Sequence, residues 1–273
     1  MEISFSSMFP DKTTFYFNSD TRSYTSIPGR HHYHNLFEIY YLQKGQCNYF
    51  IDNKVYEVKA GDVVLIPEGT IHKTVYRDND SHTRKLINCS RRYIPKSVLN
   101  DIQGLPLLYR NTDVSDKIDE LMNNIEKEYV KNDSFSHDAM KSYVSLLFLL
   151  IVRNENTADN KSLGSKLIEK TAVYIQDNFS ADISLAKAAE LFSVSPEHLS
   201  RQFRRQTGFG FNEYVTLIRL KRAEYILSEN PNIAVSDVAY ACGFNDSNYF
   251  STKFKDTYGT SPLKYRKEKM REE

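Results

Sequence analysis

The apolar positions change their period along the chain. From about Phe15 to Asn88 they come in short aromatic and β-branched runs broken by turn residues, as in EIYYLQKGQCNYFIDNKVYEVKAGDVVLIPEGTIHKTVY, a pattern that predicts antiparallel strands closed into a β-barrel or sandwich. Asp52-Asn53, between CNYFI and KVYEV, tolerates the positive φ that a two-residue hairpin requires. From Asp113 the spacing becomes three and four: Ile118, Leu121, Met122, Ile125 and Tyr129 share one helical face. A second helix, from about Ser136 to Arg153, carries Ala139, Met140, Tyr143, Val144, Leu147, Leu150 and Ile151, and Leu146, Phe148 and Leu149 widen its stripe. One face cannot bury so much, so the surplus either packs on the strands or joins two copies of the chain. NENTADNKSLG, residues 154–164, is polar and aperiodic and reads as a linker. After Ser165 the pattern is helical to the end. The expected class is α+β: an antiparallel β-barrel with a two-helix dimerisation segment over 1–153, then an all-α domain over 165–273.

Composition adds little to this picture. A chain of 273 residues suits two domains, each large enough to bury its own core. The net charge of +1 neither demands nor excludes nucleic acid, so any DNA-binding surface must be local. Cys47, Cys89 and Cys242 are far apart and form no CxxC pair, which argues against a disulfide framework and against a cysteine metal site. The opening MEISFSSMFPDK lacks the features of a signal peptide, and the longest apolar run, Tyr143 to Val152, is short of the ~20 residues needed to span a bilayer. The expectation is a soluble, cytoplasmic protein without a membrane partner.

The helical part contains an internal repeat that reads as gapless with an offset of 51 residues. Ala188 matches Ala239, Leu199 matches Phe250, Phe203 matches Phe254, Arg204 matches Lys255, Gly208 matches Gly259 and Tyr214 matches Tyr265. Each copy reads as a short helix, a tight turn and a second helix. In the first copy Leu185, Ala188 and Phe192 face inward, Ser195 offers an N-cap, Pro196 suits the first helical position and Gly208 ends the second helix. In the second copy Asp246 caps SNYFSTKFKDTYG, which turns Phe250 and Phe254 inward. A helix in the major groove needs small or amide side chains near its start for base edges and cations further along for phosphates. The candidates are Glu197, Ser200, Arg201, Arg204 and Arg205 in the first copy, and Ser247, Asn248, Ser251, Thr252, Lys253 and Lys255 in the second. Arg201 is the natural bidentate partner for guanine; solvated charge is the plainer reading. The stretch FNEYVTLIRLKRAEYILSEN, with Phe211, Tyr214, Ile218, Ala223 and Leu227 inward, would link the two reading helices rigidly. At a separation of about 34 Å they would enter successive major grooves and read two blocks one turn apart.

Residues Lys166 to Lys267, with LSRQFRRQTGFGFNEYVTLIRLKRAEYIL and VAYACGFNDSNYFSTKFKDTYGTSPLKYR, resemble the DNA-binding domain of the AraC/XylS family. The resemblance implies seven α-helices, binding to double-stranded promoter DNA and recruitment of RNA polymerase, most often for activation. One departure is Thr252, where many members carry Arg, which puts base reading by the second unit in question.

The first part of the chain has a second constellation. HHYHNLFEIYYLQKG spaces His32, His34, Glu38 and Gly45, and GDVVLIPEGTIH supplies Gly61, Pro67, Gly69 and His72. These resemble the two cupin motifs, whose histidines and glutamate converge inside a β-barrel, and strand alternation puts His32 and His34 on one face. Neutral imidazoles with a carboxylate suit Fe, Mn, Zn or Ni. The same turns also serve a pocket without metal, and Tyr76 stands where an asparagine commonly ends the second motif. The reading adopted is a cupin-like sensor whose barrel mouth binds a small-molecule effector, with a carbohydrate as leading candidate, through Arg22, Tyr24, His32, His34, Glu38 and His72. It assigns no catalytic residue, metal or cofactor. The whole chain then reads as a homodimeric, effector-controlled transcription regulator, not an enzyme; the alternative is a metal-dependent cupin enzyme with an accessory DNA-binding tail.

Overall fold

The computed structural model describes residues 14–22, 34, 36–75, 81–101, 108–110, 112–154 and 164–272. Contacts divide them into two units, with the division at residues 163/164.

The first unit is built on eight strands: β1 Phe15–Arg22, β2 Phe37–Lys44, β3 Gln46–Ile51, β4 Lys54–Lys59, β5 Asp62–Ile66, β6 His72–Val75, β7 His82–Cys89 and β8 Leu108–Arg110. They form a five-stranded sheet in the order β1-β7-β2-β5-β8 and a three-stranded sheet in the order β4-β3-β6. All pairings are antiparallel. Of the barrel or sandwich that the sequence pattern allowed, the described strands hydrogen-bond as two separate sheets. The hairpin between β3 and β4 turns at Asp52 and Asn53, with φ of 42° and 74°, and pairs Ile51 with Lys54. Gly45, between β2 and β3, has φ 85° and its missing Cβ would stand 2.7 Å from the Ser81 carbonyl oxygen, so only glycine fits there.

The larger sheet is buried on both faces. Tyr40, Leu42, Val64, Ile66 and Leu108 pack against Cys47, Tyr49, Ile51, Tyr56 and Val58 of the smaller sheet. On the opposite face Phe15, Phe17, Ile39, Tyr41, Leu65 and Ile87 meet two helices, α2 Ser115–Lys131 and α3 Ser136–Arg153, which follow the short α1 Lys96–Asp101. This is why IYYL, Ile39 to Leu42 in β2, is a continuous apolar run: a strand covered on both sides has no solvent face to reserve for polar residues. A polar seam fixes α2 on the sheet. Gln43 donates to Asp119 at 2.6 Å, and the buried Lys85 ammonium lies 2.8 Å from the Glu126 carboxylate and also donates to Asn123. These acceptors, at positions 119, 123 and 126, follow the helical repeat.

The helices follow the predicted stripes. Ile118, Leu121, Met122 and Ile125 of α2 are buried, as are Met140, Val144, Leu147, Phe148 and Ile151 of α3. Ala139, Tyr143 and Leu150, half-buried, and Leu146, 54% exposed, form a second apolar stripe along α3.

The second unit holds seven helices among the described residues: α4 Lys166–Asp177, α5 Leu185–Leu191, α6 Pro196–Thr207, α7 Phe211–Glu229, α8 Val235–Ala241, α9 Ser247–Tyr258 and α10 Pro262–Glu272. Most of these helix starts are satisfied by a nearby side chain, while that of α8, at Ala234, has no side-chain cap. The Ser165, Ser184, Ser195 and Asp246 side chains accept from the backbone N–H groups of Ile168, Lys187, His198 and Tyr249, and the Gly210 N–H donates to the Glu213 carboxylate. The 19-residue α7, about 28 Å long at 1.5 Å per residue, serves both halves. Its Tyr214 meets Phe203 and Phe209, and its Leu220, Ala223 and Leu227 pack with Val238, Phe250 and Phe254. More of α7 is buried than its expected inner face: Val215, Leu217 and Leu220 join Phe211, Tyr214, Ile218, Ala223 and Leu227 because packing comes from both ends.

Candidate nucleic-acid interface and effector site

In the second unit, α5 with α6 and α8 with α9 are two helix-turn-helix pairs. Their turns correct one sequence expectation, since the repeat is not gapless. Val194 N–H donates to the Ala189 carbonyl, and Phe244 N–H makes the same bond to Ala239, so the first helices correspond at an offset of 50. The caps Ser195 and Asp246 correspond at 51, and the second turn is therefore one residue longer. The single small residue Ala239 has two alanine counterparts to choose from, Ala188 and Ala189, and the sequence match took the wrong one.

On α6, Leu199 and Phe203 are buried while Glu197, Arg201, Arg204 and Arg205 are exposed along the opposite face, with Ser200 half-buried beside them. On α9, Phe250 and Phe254 are buried; Asn248, Thr252 and Lys255 are exposed opposite, and Ser247 and Ser251 are half-buried. Lys253 points elsewhere. Its ammonium lies 5.6 Å from the centre of the Tyr249 ring and it lines a groove with Leu217, Leu220 and Asp256, between α9 and α7. Thr252 Oγ1 donates to the Asn248 carbonyl at 3.0 Å, turning the hydroxyl back onto its own helix.

In the first unit, Glu38 stands in β2 with the inward alternation of Tyr40 and Leu42, opposite Asn88 of β7. The smaller sheet contributes Tyr49 and His72, on the paired strands β3 and β6. The side chains meet between the sheets. Tyr49 Oη donates to Glu38 Oε1 at 2.6 Å, His34 Nε2 lies 3.1 Å from Glu38 Oε2, His72 Nε2 lies 3.6 Å from the same oxygen, and Asn88 Nδ2 donates to it at 3.1 Å. Burial disfavours a charged Glu38, but His72 and His34, by charge and hydrogen bonding, outweigh it and hold the carboxyl well below its usual range. Tyr49 is pushed the other way, by burial and then by the charge of Glu38.

Of the six expected effector residues, the structure brings together His34, Glu38 and His72. Tyr24 and His32 lie outside the described residues, as does the side chain of Arg22. The Arg22 backbone pairs with His82, six strand positions from the Tyr16–Asn88 pair, hence roughly 20 Å along β1 from the cluster. Tyr49 and Asn88 were missed from the sequence. The available signal was an amide inside the apolar strand KLINC, at a position whose neighbours alternate inward.

Residues 22–142 match the family model described as AraC-like ligand binding domain, and residues 188–268 match that of a helix-turn-helix domain. The HTH-type transcriptional activator RhaS of Escherichia coli is 28% identical over 238 residues, covering 85% of each chain. Among solved structures, the C-terminal domain of AraT, a response regulator from Geobacillus stearothermophilus, is 34% identical, with a TM-score of 0.38 over 39% of this chain and 88% of that one. ToxT from Vibrio cholerae is 16% identical, with a TM-score of 0.38 over 93% of this chain and 98% of that one.

Proposed function

Because the chain belongs to the AraC family of transcription regulators, we propose that it activates transcription from a bipartite DNA site, under the control of a small-molecule effector held by its first unit. The observation that carries the DNA reading is the pair of exposed faces on α6 and α9, each set opposite a buried apolar row, Leu199 and Phe203 in one and Phe250 and Phe254 in the other, on a helix that begins at a side-chain cap. In α6, Arg201 reads a guanine and Arg204 and Arg205 grip phosphates; in α9, Asn248 reads an adenine edge and Lys255 grips phosphate, with Ser200, Ser247 and Ser251 at the margins and Glu197 offered to cytosine. The regulator acts through RNA polymerase at the promoter.

His34, Glu38 and His72, joined by Tyr49 and Asn88, anchor the effector by hydrogen bonds, and a carbohydrate, rich in hydroxyls that can both donate and accept, is the leading candidate. Control requires that the effector bind two states of the protein with different affinity. The second apolar stripe of α3, Ala139, Tyr143, Leu146 and Leu150, supports a homodimer.

The test is selection by the full-length protein from random duplexes at fixed salt, with and without a sugar panel. Enrichment of two short blocks about one helical turn apart is expected. Absence of any enriched sequence under all conditions overturns direct base reading.

A further inference from the structure

Midway along α7, packing passes from the first helix-turn-helix pair to the second. Tyr214 meets Phe203 of α6, while Leu220, Ala223 and Leu227 pack with Val238, Phe250 and Phe254 of α8 and α9. Arg219 stands at that change-over and reaches both pairs. Its Nε donates to the Phe179 carbonyl at 2.8 Å and its Nη2 to the Ala181 carbonyl at 2.9 Å. These carbonyls belong to the segment that leaves α4 and enters α5 at the Ser184 cap. The same guanidinium lies over the ring of Phe244, 5.9 Å from its centre, in the turn between α8 and α9. We propose that Arg219 is a positioning residue that sets the distance and phase between the two reading helices, and so selects the spacing between the two blocks of the DNA site.

A guanidinium suits this joint because it is planar: its edge donates to the carbonyls of the first pair while its face covers the aromatic ring of the second. Hydrogen bonds from a cation are stronger than those between neutral groups, and Arg219 is half-buried, so water screens them less than it would on the surface. The backbones of the two pairs also touch here. A Cβ at Gly243 would stand 2.8 and 2.9 Å from the Phe179 and Ser180 carbonyl oxygens and 3.0 Å from Arg219 Nε, so the second turn lies directly against the segment before α5. The gathered oxygens carry partial negative charge that the guanidinium offsets. Without that cation the contact loosens and each pair is left to pivot on its own half of α7. The inference rests on the bipartite DNA reading, because only a protein that reads two blocks at once responds to their separation. One added base pair moves the second block by about 3.4 Å and about a tenth of a turn.

The experiment compares the full-length chain with Arg219→Met, which keeps a good helix former and removes the donors. Selection from random duplexes is expected to give one spacing between the blocks for the unaltered chain and several for the variant, with the base preferences within each block unchanged. In direct titration, one base pair added to the preferred spacer is expected to weaken the unaltered chain by more than about tenfold and the variant by less than about threefold. Partial unfolding lowers binding at every spacer by the same factor, so it does not produce this difference. Arg219→Lys, whose ammonium can still meet one carbonyl, is expected to fall between. A second measurement needs no DNA: spin labels on Arg205→Cys and Asp256→Cys, exposed positions of α6 and α9, report the distance between the helices, the native cysteines being buried. Dilution with unlabelled chain restricts the signal to pairs within one chain. The distance distribution is expected to be narrow in the unaltered protein and broader in Arg219→Met. A folded Arg219→Met with unchanged spacing and unchanged distribution overturns the proposal. If neither variant folds, the unaltered chain decides, a narrow distribution supporting the proposal and a broad one overturning it. The two readings fail separately: labels that respond as expected without any enriched bipartite site remove the DNA reading and leave the joint, and a bipartite site indifferent to Arg219 removes the joint and leaves the regulator.

Discussion

The two reading helices share a scaffold and differ in what they present. Both have an oxygen side chain at the N-cap, a buried inner row of large apolar residues followed by a threonine, and a left-handed glycine at the end, Gly208 and Gly259, each with φ 76°. On the outer face Arg201 corresponds to Thr252, Arg204 to Lys255 and Arg205 to Asp256, all exposed. At these three matched positions the first helix carries three cations where the second carries one cation and one anion. Folding constrains the inner row and leaves the outer row free to vary. A duplicated unit can thus keep its fold while one copy takes the electrostatic grip and the other a lighter, amide-based contact.

The largest expected effect breaks the similarity of the scaffolds. In the turn between α8 and α9, Gly243 has φ 83°, and a Cβ there would stand 2.8 and 2.9 Å from the carbonyl oxygens of Phe179 and Ser180 and 3.0 Å from Arg219 Nε. Those carbonyls belong to the loop before α5, and Arg219 of α7 holds the Phe179 oxygen by a hydrogen bond of 2.8 Å. Gly243→Ala should cost about 2–4 kcal/mol, from left-handed strain plus displacement of backbone, read by urea unfolding. Its counterpart Ser193 already adopts φ 55°, so Ser193→Gly should be neutral or stabilise by about 1 kcal/mol. Equal responses at the two positions would show that the turns are equivalent after all.

The next effect tests the outer faces. Arg201→Ala should weaken a specific site by about 1–3 kcal/mol while sparing random DNA. Thr252→Ala should change specific binding by no more than about 0.5 kcal/mol, since its hydroxyl is already engaged with the Asn248 carbonyl. Thr252→Arg then sharpens the comparison: if α9 lies in the groove as α6 does, it should add a base preference in the second block of the selected site. Loss of affinity from Arg201→Ala that is the same on specific and random duplexes rejects the guanine contact.

Much of this was legible in the sequence because single residues report local rules. Ser195, Pro196, Gly208 and Asp246 marked helix ends through capping chemistry, and Asp52-Asn53 marked the hairpin through positive φ. His34, Glu38 and His72 were readable through spacing. What escaped depended on tertiary arrangement. Alternation left a β-barrel and a sandwich equally open, because it does not say which strands pair, and the described strands pair as two sheets. Tyr49 and Asn88 were missed because they reach Glu38 from β3 and β7, strands that sequence spacing does not relate to it. Lys253 looked like one more surface cation; its i,i+4 spacing from Tyr249 within α9 allowed the ring contact, and what the tertiary packing adds is the groove that it lines with Leu217 and Leu220 of α7. The extra residue in the second turn was hidden by a run of alanines that aligns equally well in two registers.

The smallest expected effect concerns charge alone, at Arg205 and Asp256. Each phosphate neutralised on B-DNA contributes about 0.9 to the slope of log affinity against log salt. Arg205→Ala should lower that slope by about 0.9 on specific and random DNA alike, because a phosphate contact carries no sequence information. Between about 50 and 200 mM salt this amounts to about a threefold smaller loss of affinity. Asp256→Arg gives the second helix the residue of the first, and if the outer face of α9 follows the backbone as that of α6 does, the slope should steepen by a similar amount. Measured by titration at several salt concentrations, paired changes of opposite sign place both helices on phosphate. A slope altered by Arg205→Ala but untouched by Asp256→Arg means that α9 meets DNA only near its start, through Asn248, and that the two copies differ in docking as well as in charge.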